Sequence, residues 1–260
     1  MIHHPRRRRC ASYGQKLTSP TRKAPIRRPM RALLLPVKDL RNAKRRLTGV
    51  LTPEERFGLA QAMLSDMLRT VQGIRRAEKI FVVTNYQPVF DIADENGWEV
   101  LREDRQISES HAVDFASRVC EERGVTGLLR VPLDVPLAQA GDIDELLTAE
   151  CGNPGLVIVP SGDGTGTNAI LRTPPALFPS HFGKGSFAKH VSEAKRAGAK
   201  VFIRRNPRLE MDVDDESDLR ALLEHDLSGT TTGRWLRETG LDVKFRPQAK
   251  KASAAAGNHS

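Results

Sequence analysis

Cysteine is scarce in this chain: Cys10, Cys120 and Cys151 are the only three in 260 residues, and they stand far apart. That excludes a disulfide scaffold and any cysteine-based zinc site, and it makes a reducing cytoplasm the expected location. No apolar run approaches the roughly 18 residues that a bilayer span needs, so a transmembrane protein is excluded. The N-terminus carries charge but lacks the apolar stretch of a secretory signal. Aromatic residues make up only 5% of the chain, whereas leucine, valine and alanine are frequent, which suits an α/β protein with an aliphatic core. The length is enough for one large domain or two small ones.

Acidic residues are missing from both ends. Residues 1–29 hold nine of the 41 Lys+Arg and no Asp or Glu, and residues 243–260 hold four more bases and again no acid. The formal charge of +9 therefore belongs to the ends, because between residues 30 and 242 the 32 acids outnumber the 28 bases. Both ends are rich in Pro, Ser, Ala, Arg and Lys without apolar periodicity, so they read as disordered extensions flanking one folded domain over 30–242. A nucleic-acid-binding protein using these basic tails is a competing reading from another class; the mildly acidic body argues against nucleic acid as the partner. Met30 directly precedes the first strand-like run, which leaves open that residues 1–29 lie upstream of the working start.

Inside 30–242 the apolar pattern alternates between short runs and helical spacing. Arg31–Val37 is too short for a helix and reads as a buried first strand. Thr52-Pro53-Glu54-Glu55 is a helix start, with a threonine cap, proline at the first position and acids in the first turn. That helix continues through Leu59, Met63, Met67 and Val71. Strands are expected at 79–84, 98–101, 127–131, 155–160, 169–171 and 200–203, and helices at 90–95, 109–123, 143–149 and 217–225. Such alternation predicts a doubly wound, mostly parallel sheet in a single Rossmann-like α/β domain. In that architecture ligands bind where strand C-termini meet their loops.

Five loops carry chemistry. After the first strand, Lys38 to Arg46 includes five bases, which either embrace a polyphosphate or form a solvated basic loop; no Walker A pattern is present. After the 127–131 strand stands Asp134, a carboxylate among apolar neighbours that needs a metal or base as partner unless it merely closes a turn. In Met211-Asp212-Val213-Asp214-Asp215, the period of two points Asp212 and Asp214 the same way, and paired carboxylates repel unless a divalent cation sits between them. Asp214 or Asp215 is also a candidate N-cap for the helix that follows. Ser161 to Asn168 packs three glycines and two threonines, which reads as a backbone anion cradle or as a plain hairpin turn. His181 to Phe187 is a glycine turn opening a helix with Ser186 at the cap, another anion site. His181 and His190 lack a partner pattern and read as structural.

Together these residues resemble a known family. Pro36-Val37-Lys38 with Ala43–Leu47, Asp134–Leu137, Asp163–Asn168, Phe182–Phe187 and Asp212–Asp214 are similar in order and spacing to the CofC/FbiD guanylyltransferases of coenzyme F-420 biosynthesis. That family shares the nucleotide-diphospho-sugar transferase fold of the molybdenum-cofactor nucleotidyltransferases, and the match spans residues 31–225. The resemblance implies transfer of GMP from GTP to 2-phospho-L-lactate, phosphoenolpyruvate or 3-phosphoglycerate, with release of pyrophosphate. It also implies that Asp134, Asp212 and Asp214 are the catalytic magnesium (Mg2+) ligands, that Thr167, Gly183 and Ser186 bind the phospho-acid, and that Lys38 and Lys44 meet the nucleotide phosphates. Many members carry Gly-Leu-Asn near the nucleotide base where this chain has Ser108-Glu109-Ser110-His111, so preference for guanine is the least anchored expectation. A molybdopterin or sugar-phosphate nucleotidyltransferase of the same fold is the nearer alternative, but its usual glycine-rich loop is not found at Pro36-Val37-Lys38. A phosphate nucleophile is already charged, which accounts for the lack of a catalytic His, Ser or Cys constellation.

The charge distribution carries a test. A chain beginning at Met30 is expected to fold and turn over like the full one while losing most affinity for DNA at low salt, since that affinity scales with phosphate–cation contacts. Unchanged DNA retention would place the basic surface on the folded body instead.

Overall fold

A computed structural model describes Met1, residues 29–103, Arg105 and residues 107–246. Among these residues seven strands form one sheet: β1 (Arg31–Val37), β2 (Lys79–Thr84), β3 (Glu99–Arg102), β4 (Gly127–Arg130), β5 (Gly155–Pro160), β6 (Thr167–Thr173) and β7 (Lys200–Ile203), in the order β3-β2-β1-β4-β6-β5-β7. All neighbours are parallel except β6, which runs antiparallel to both β4 and β5. The expected doubly wound, mostly parallel α/β domain is the observed one. The antiparallel strand matters for the site, because it brings the start of β6 to the edge where the other strands end.

Central strands in such a sheet are covered on both faces, so they read as continuous apolar runs. In β1, Leu33, Leu35 and Val37 enter a core that spans one whole face of the sheet. Ala32 and Leu34 face the other way, toward α3 (Glu109–Glu122). The first face is covered by α1 (Pro53–Gln72), α2 (Pro88–Glu95) and α4 (Ala140–Thr148). The second is shared by α3 and α5 (Ser186–Arg196), and its apolar packing is split into two clusters. Between them lie two arginines on paired strands, Arg130 of β4 and Arg172 of β6, 4% and 2% exposed. Arg172 donates to the Phe178 carbonyl at 2.8 Å, to Ser180 Oγ at 3.1 Å and to Ser117 Oγ at 2.7 Å, so this deep charge is solvated by the protein itself.

The start of α1 is as its sequence dictates. Thr52 Oγ1 accepts from Glu55 N, Glu55 returns the bond to Thr52 N, and Pro53 opens the helix. The opposite side of α1 supports a second small core that the apolar pattern did not disclose. Beyond the single turn α6 (Pro207–Glu210), residues of α7 (Glu216–Leu222), α8 (Thr231–Glu238) and α9 (Leu241–Phe245) pack here with Leu59 and Met63. Asp66 of α1 accepts from Thr231 N at 2.6 Å and Thr232 N at 2.8 Å, which ties down the first turn of α8. The folded part therefore continues beyond the expected boundary at 242: Phe245 is 1% exposed and anchors α9 in this second core. The remainder of both expected disordered ends lies outside the described residues. Among the described residues, no helix is long and apolar enough to cross a membrane.

Gly233 tests how tightly the second core is closed. A Cβ there would stand 2.3 Å from the Leu227 carbonyl oxygen, which is backbone and cannot swing away. Gly233→Ala is expected to cost about 1–3 kcal/mol by overpacking, a fall in melting temperature of several degrees. An unchanged melting curve would mean that α8 is not held against the rest.

Candidate active site

The C-terminal ends of β1, β4 and β5 and the start of β6 open onto one cleft of about 1040 Å³. All eight nominated residues line it: Lys38 and Lys44 after β1, Asp134 after β4, Thr167 at the start of β6, Gly183 and Ser186 at the start of α5, and Asp212 and Asp214 before α7. Backbone register explains the last two. Val213 N donates to the Asp134 carbonyl at 3.0 Å while the Val213 side chain is fully buried in the second core. The residues on either side must then face away from that core, into the cleft. Asp215 takes the capping role, accepting from Ser217 N and Asp218 N, which leaves Asp212 and Asp214 free for other work.

Negative charge is concentrated here and is met by cations from the chain. Lys44, held in a left-handed conformation at φ 53°, places Nζ 2.9 Å from Asp134 Oδ2 and 3.4 Å from Asp214 Oδ1. Its side chain is 7% exposed. Burial alone would lower the Lys44 pKa, but Asp134 and Asp214 outweigh it and raise the group. Burial likewise works against the Asp134 carboxylate, yet Lys44 and then Arg130 hold its pKa below the usual range. Arg46 Nη1 approaches Asp214 Oδ2 at 3.3 Å. Among the described residues Asp212 forms no salt bridge, and Asn168 Nδ2 donates to it at 2.9 Å. Burial first, then the charges of Asp134 and Asp214, push its carboxyl up to about 6. Lys44, nominated for nucleotide phosphates, thus serves in this structure as counter-ion to two carboxylates.

Of its two readings, the glycine loop takes the turn. Within residues 161–166, five amides already donate to the chain: Ser161 N to Gly166 O, Gly162 N to Glu210 O, Gly164 N to Ser161 O, Thr165 N to Asp163 Oδ1 and Gly166 N to Ser161 Oγ. Asp163 organises the turn and is held down to about 2 by Ser161 Oγ and the Thr165 amide and hydroxyl. The loop is a self-satisfied turn linking β5 to β6 rather than an open cradle of amides. At α5, Gly183 and Gly185 have φ of 108° and 71°, conformations that favour glycine. Gly185, not Ser186, occupies the cap; Ser186 is the first helical residue, and its hydroxyl turns to Thr167 Oγ1 at 3.1 Å.

Two features escaped the sequence reading. Arg130 lines the cleft with its guanidinium 4.2 Å from the Phe182 ring and donates to the Thr167 carbonyl at 3.2 Å and to Glu109. Burial lowers this guanidinium to about 10, against the opposing charges of Asp134 and Asp212. A single arginine ending an otherwise apolar strand was the available signal. The second is the partner of His190: that ring, read as structural, is fully enclosed, and its Nδ1 lies 3.0 Å from Thr167 Oγ1.

A test of the counter-ion follows from its burial. Lys44→Met is expected to cost about 1–3 kcal/mol, because it strands carboxylates in a poorly solvated place. Adding Asp134→Asn should return part of that loss, a coupling that a double-mutant cycle on melting data reads directly. Strictly additive effects would contradict the pairing.

Residues 30–255 match the model of a family described as guanylyl transferase, CofC like. A phosphoenolpyruvate guanylyltransferase from Rubrobacter xylanophilus is 36% identical over 191 residues, which is 73% of this chain and 91% of the relative. A 2-phospho-L-lactate guanylyltransferase from Methanothermobacter thermautotrophicus is 30% identical over 211 residues, 81% of this chain and 92% of the relative. Among solved structures, a Desulfovibrio desulfuricans protein assigned to the nucleotide-diphospho-sugar transferases superposes with a TM-score of 0.67, covering 85% of this chain and 100% of the other at 17% identity. A cytidylyltransferase from Leptospira borgpetersenii gives 0.53 at 14% identity, with the same coverage of both chains. These two likenesses establish the fold.

Proposed function

The chain belongs to the family of CofC-like guanylyl transferases, and we propose that it joins GMP from GTP to the phosphate of phosphoenolpyruvate, 2-phospho-L-lactate or 3-phosphoglycerate, as a step toward coenzyme F-420. The observation that carries this reading is the cleft itself, lined both by three carboxylates, of which Lys44 bonds Asp134 and Asp214, and by the buried hydroxyl pair of Thr167 and Ser186.

The chemistry requires two polyanions to meet. An oxygen of the acceptor phosphate attacks the α-phosphorus of GTP, a new P–O bond forms, and the bond from the α-phosphorus to the α,β-bridging oxygen breaks. Pyrophosphate departs with that electron pair, and no proton has to move. The demand on the protein is alignment and charge neutralisation. Lys38 and Arg46 stand at the cleft wall after β1, where a triphosphate would be met by cations. Thr167 and Ser186 supply hydroxyls and the turn at Gly183 supplies close backbone approach for the small acid.

The donor set fits a hard divalent cation such as magnesium. Asp134, Asp212 and Asp214 would offer it oxygen ligands, and among the described residues Asp212 is the one of the three that forms no salt bridge, with burial and its acidic neighbours raising its carboxyl pKa. Among the described residues no three His, Cys, Asp or Glu side chains are gathered closely enough to cage an ion on their own. Two carboxylates completed by substrate phosphates is the arrangement this favours. When bound, such an ion supplies charge neutralisation of the phosphates and orientation for in-line displacement.

The test is pyrophosphate release from GTP with each of the three acids in the presence of magnesium. One acid is expected to support turnover, excess EDTA to silence it reversibly, and Asp212→Asn to lower kcat by about a hundredfold or more. Full activity in EDTA would remove the metal from the account, and no turnover with any of the three would remove the acceptor class.

A further inference from the structure

His190 lies on α5 one turn after Ser186, on the same helix face, and its ring is completely enclosed. Phe182 meets it edge-on with centroids 5.0 Å apart, and the Phe178 and His181 rings stand near at 6.0 and 6.1 Å. Both ring nitrogens are engaged. Nε2 receives the backbone N–H of His181 at 2.9 Å, and Nδ1 lies 3.0 Å from Thr167 Oγ1. A backbone amide can only donate, so Nε2 must carry its lone pair and no proton. The doubly protonated ring is excluded because it would set one N–H against another. The surroundings agree: burial foremost, then Arg172, Arg130, His181 and Lys189, pushes the imidazole down to about 3. The ring is neutral, and its single proton sits on Nδ1, pointing at Thr167.

That proton decides what the hydroxyl pair can offer. Thr167 and Ser186 hold two hydroxyl protons between them, and one is used in the 3.1 Å bond that joins them. Were His190 Nδ1 an acceptor, the second proton would be spent on it, and the pair would face the cleft with lone pairs only. An anion would then meet oxygen lone pairs and be repelled. With Nδ1–H donating, the second hydroxyl proton remains available to the cleft, which both residues line. We propose that His190, fixed as the Nδ1–H tautomer by the His181 amide, is a positioning residue that makes the Thr167–Ser186 pair a net hydrogen-bond donor to the anionic acceptor. This rests on the reading of Thr167 and Ser186 as the acceptor pocket.

Two measurements test it. In the full protein, 15N NMR of the histidine rings should find the His190 proton on Nδ1; a proton on Nε2 would overturn the proposal without any substrate being involved. The kinetic test uses the acid that turns over fastest among phosphoenolpyruvate, 2-phospho-L-lactate and 3-phosphoglycerate. His190→Asn places an amide nitrogen where Nδ1 stood and keeps a donor to Thr167. His190→Gln reaches as far as Nε2, keeps an acceptor for the His181 amide and leaves Thr167 without that donor. The glutamine variant should raise the acceptor KM about tenfold with the KM for GTP within about twofold, and the asparagine variant should recover most of the loss. A role in packing alone would harm the smaller asparagine at least as much as glutamine, and that result would overturn the proposal. Thr167→Val separates the two readings. If it leaves the acceptor KM unchanged, the pocket assignment fails and the proposal with it; if it raises the acceptor KM while His190→Gln does not, only the proposal fails.

Discussion

The ammonium of Lys44 joins parts of the chain that are distant in sequence: the loop after β1, the turn after β4 and the segment before α7. Its bonds to Asp134 and Asp214 would be a poor bargain in free water, where exposed pairs contribute little. Here the lysine is almost enclosed and the alternative is bare negative charge in a confined cleft. The hydrogen bond from Val213 N to the Asp134 carbonyl ties the same two segments through the backbone. Asp212 is the residue this arrangement leaves over. It has a neutral donor in Asn168 and two acidic neighbours, so it is the point at which added positive charge gains the most.

The cleft is thus divided by charge. One side, built from the ends of β1 and β4 and the residues before α7, carries carboxylates and the cations that pair with them. The other, built from the start of β6 and the start of α5, is a hydrogen-bonded run of small groups: Ser186, Thr167, His190 and the His181 amide. Both sides depend on the antiparallel course of β6, which returns Thr167 and Asn168 to the sheet edge where β1, β4 and β5 end. The two adjacent residues serve one side each: Asn168 donates to Asp212, and Thr167 bonds Ser186 and His190 of α5.

Much of this was legible in the chain. The strand ends could be placed from short apolar runs, and the loops that follow β1 and β4 hold Lys38, Lys44 and Asp134. The period of two around Val213 pointed Asp212 and Asp214 together. What could not be read depends on neighbours in space. Arg130 and Arg172 sit in runs that otherwise look purely apolar, and their burial makes sense only once β4 and β6 are paired between α3 and α5. The glycine loop left an amide cradle and a plain turn equally open in the sequence; Asp163 within it takes up the amides and decides for the turn, a local preference of Asp. Helices α8 and α9 are short, with polar outer faces, and they are fixed by Asp66 and by the second core rather than by their own periodicity.

The central claim is that the acceptor's own phosphate is the nucleophile and that the protein contributes alignment and charge. The most direct measurement is 31P NMR of the product formed from GTP and the preferred phospho-acid. The account predicts two mutually coupled phosphorus signals, since the acid's phosphorus and the α-phosphorus of GMP would share one oxygen, together with free pyrophosphate. An uncoupled phosphomonoester signal beside a separate GMP ester signal would mean that the carboxylate had attacked instead, and would contradict it.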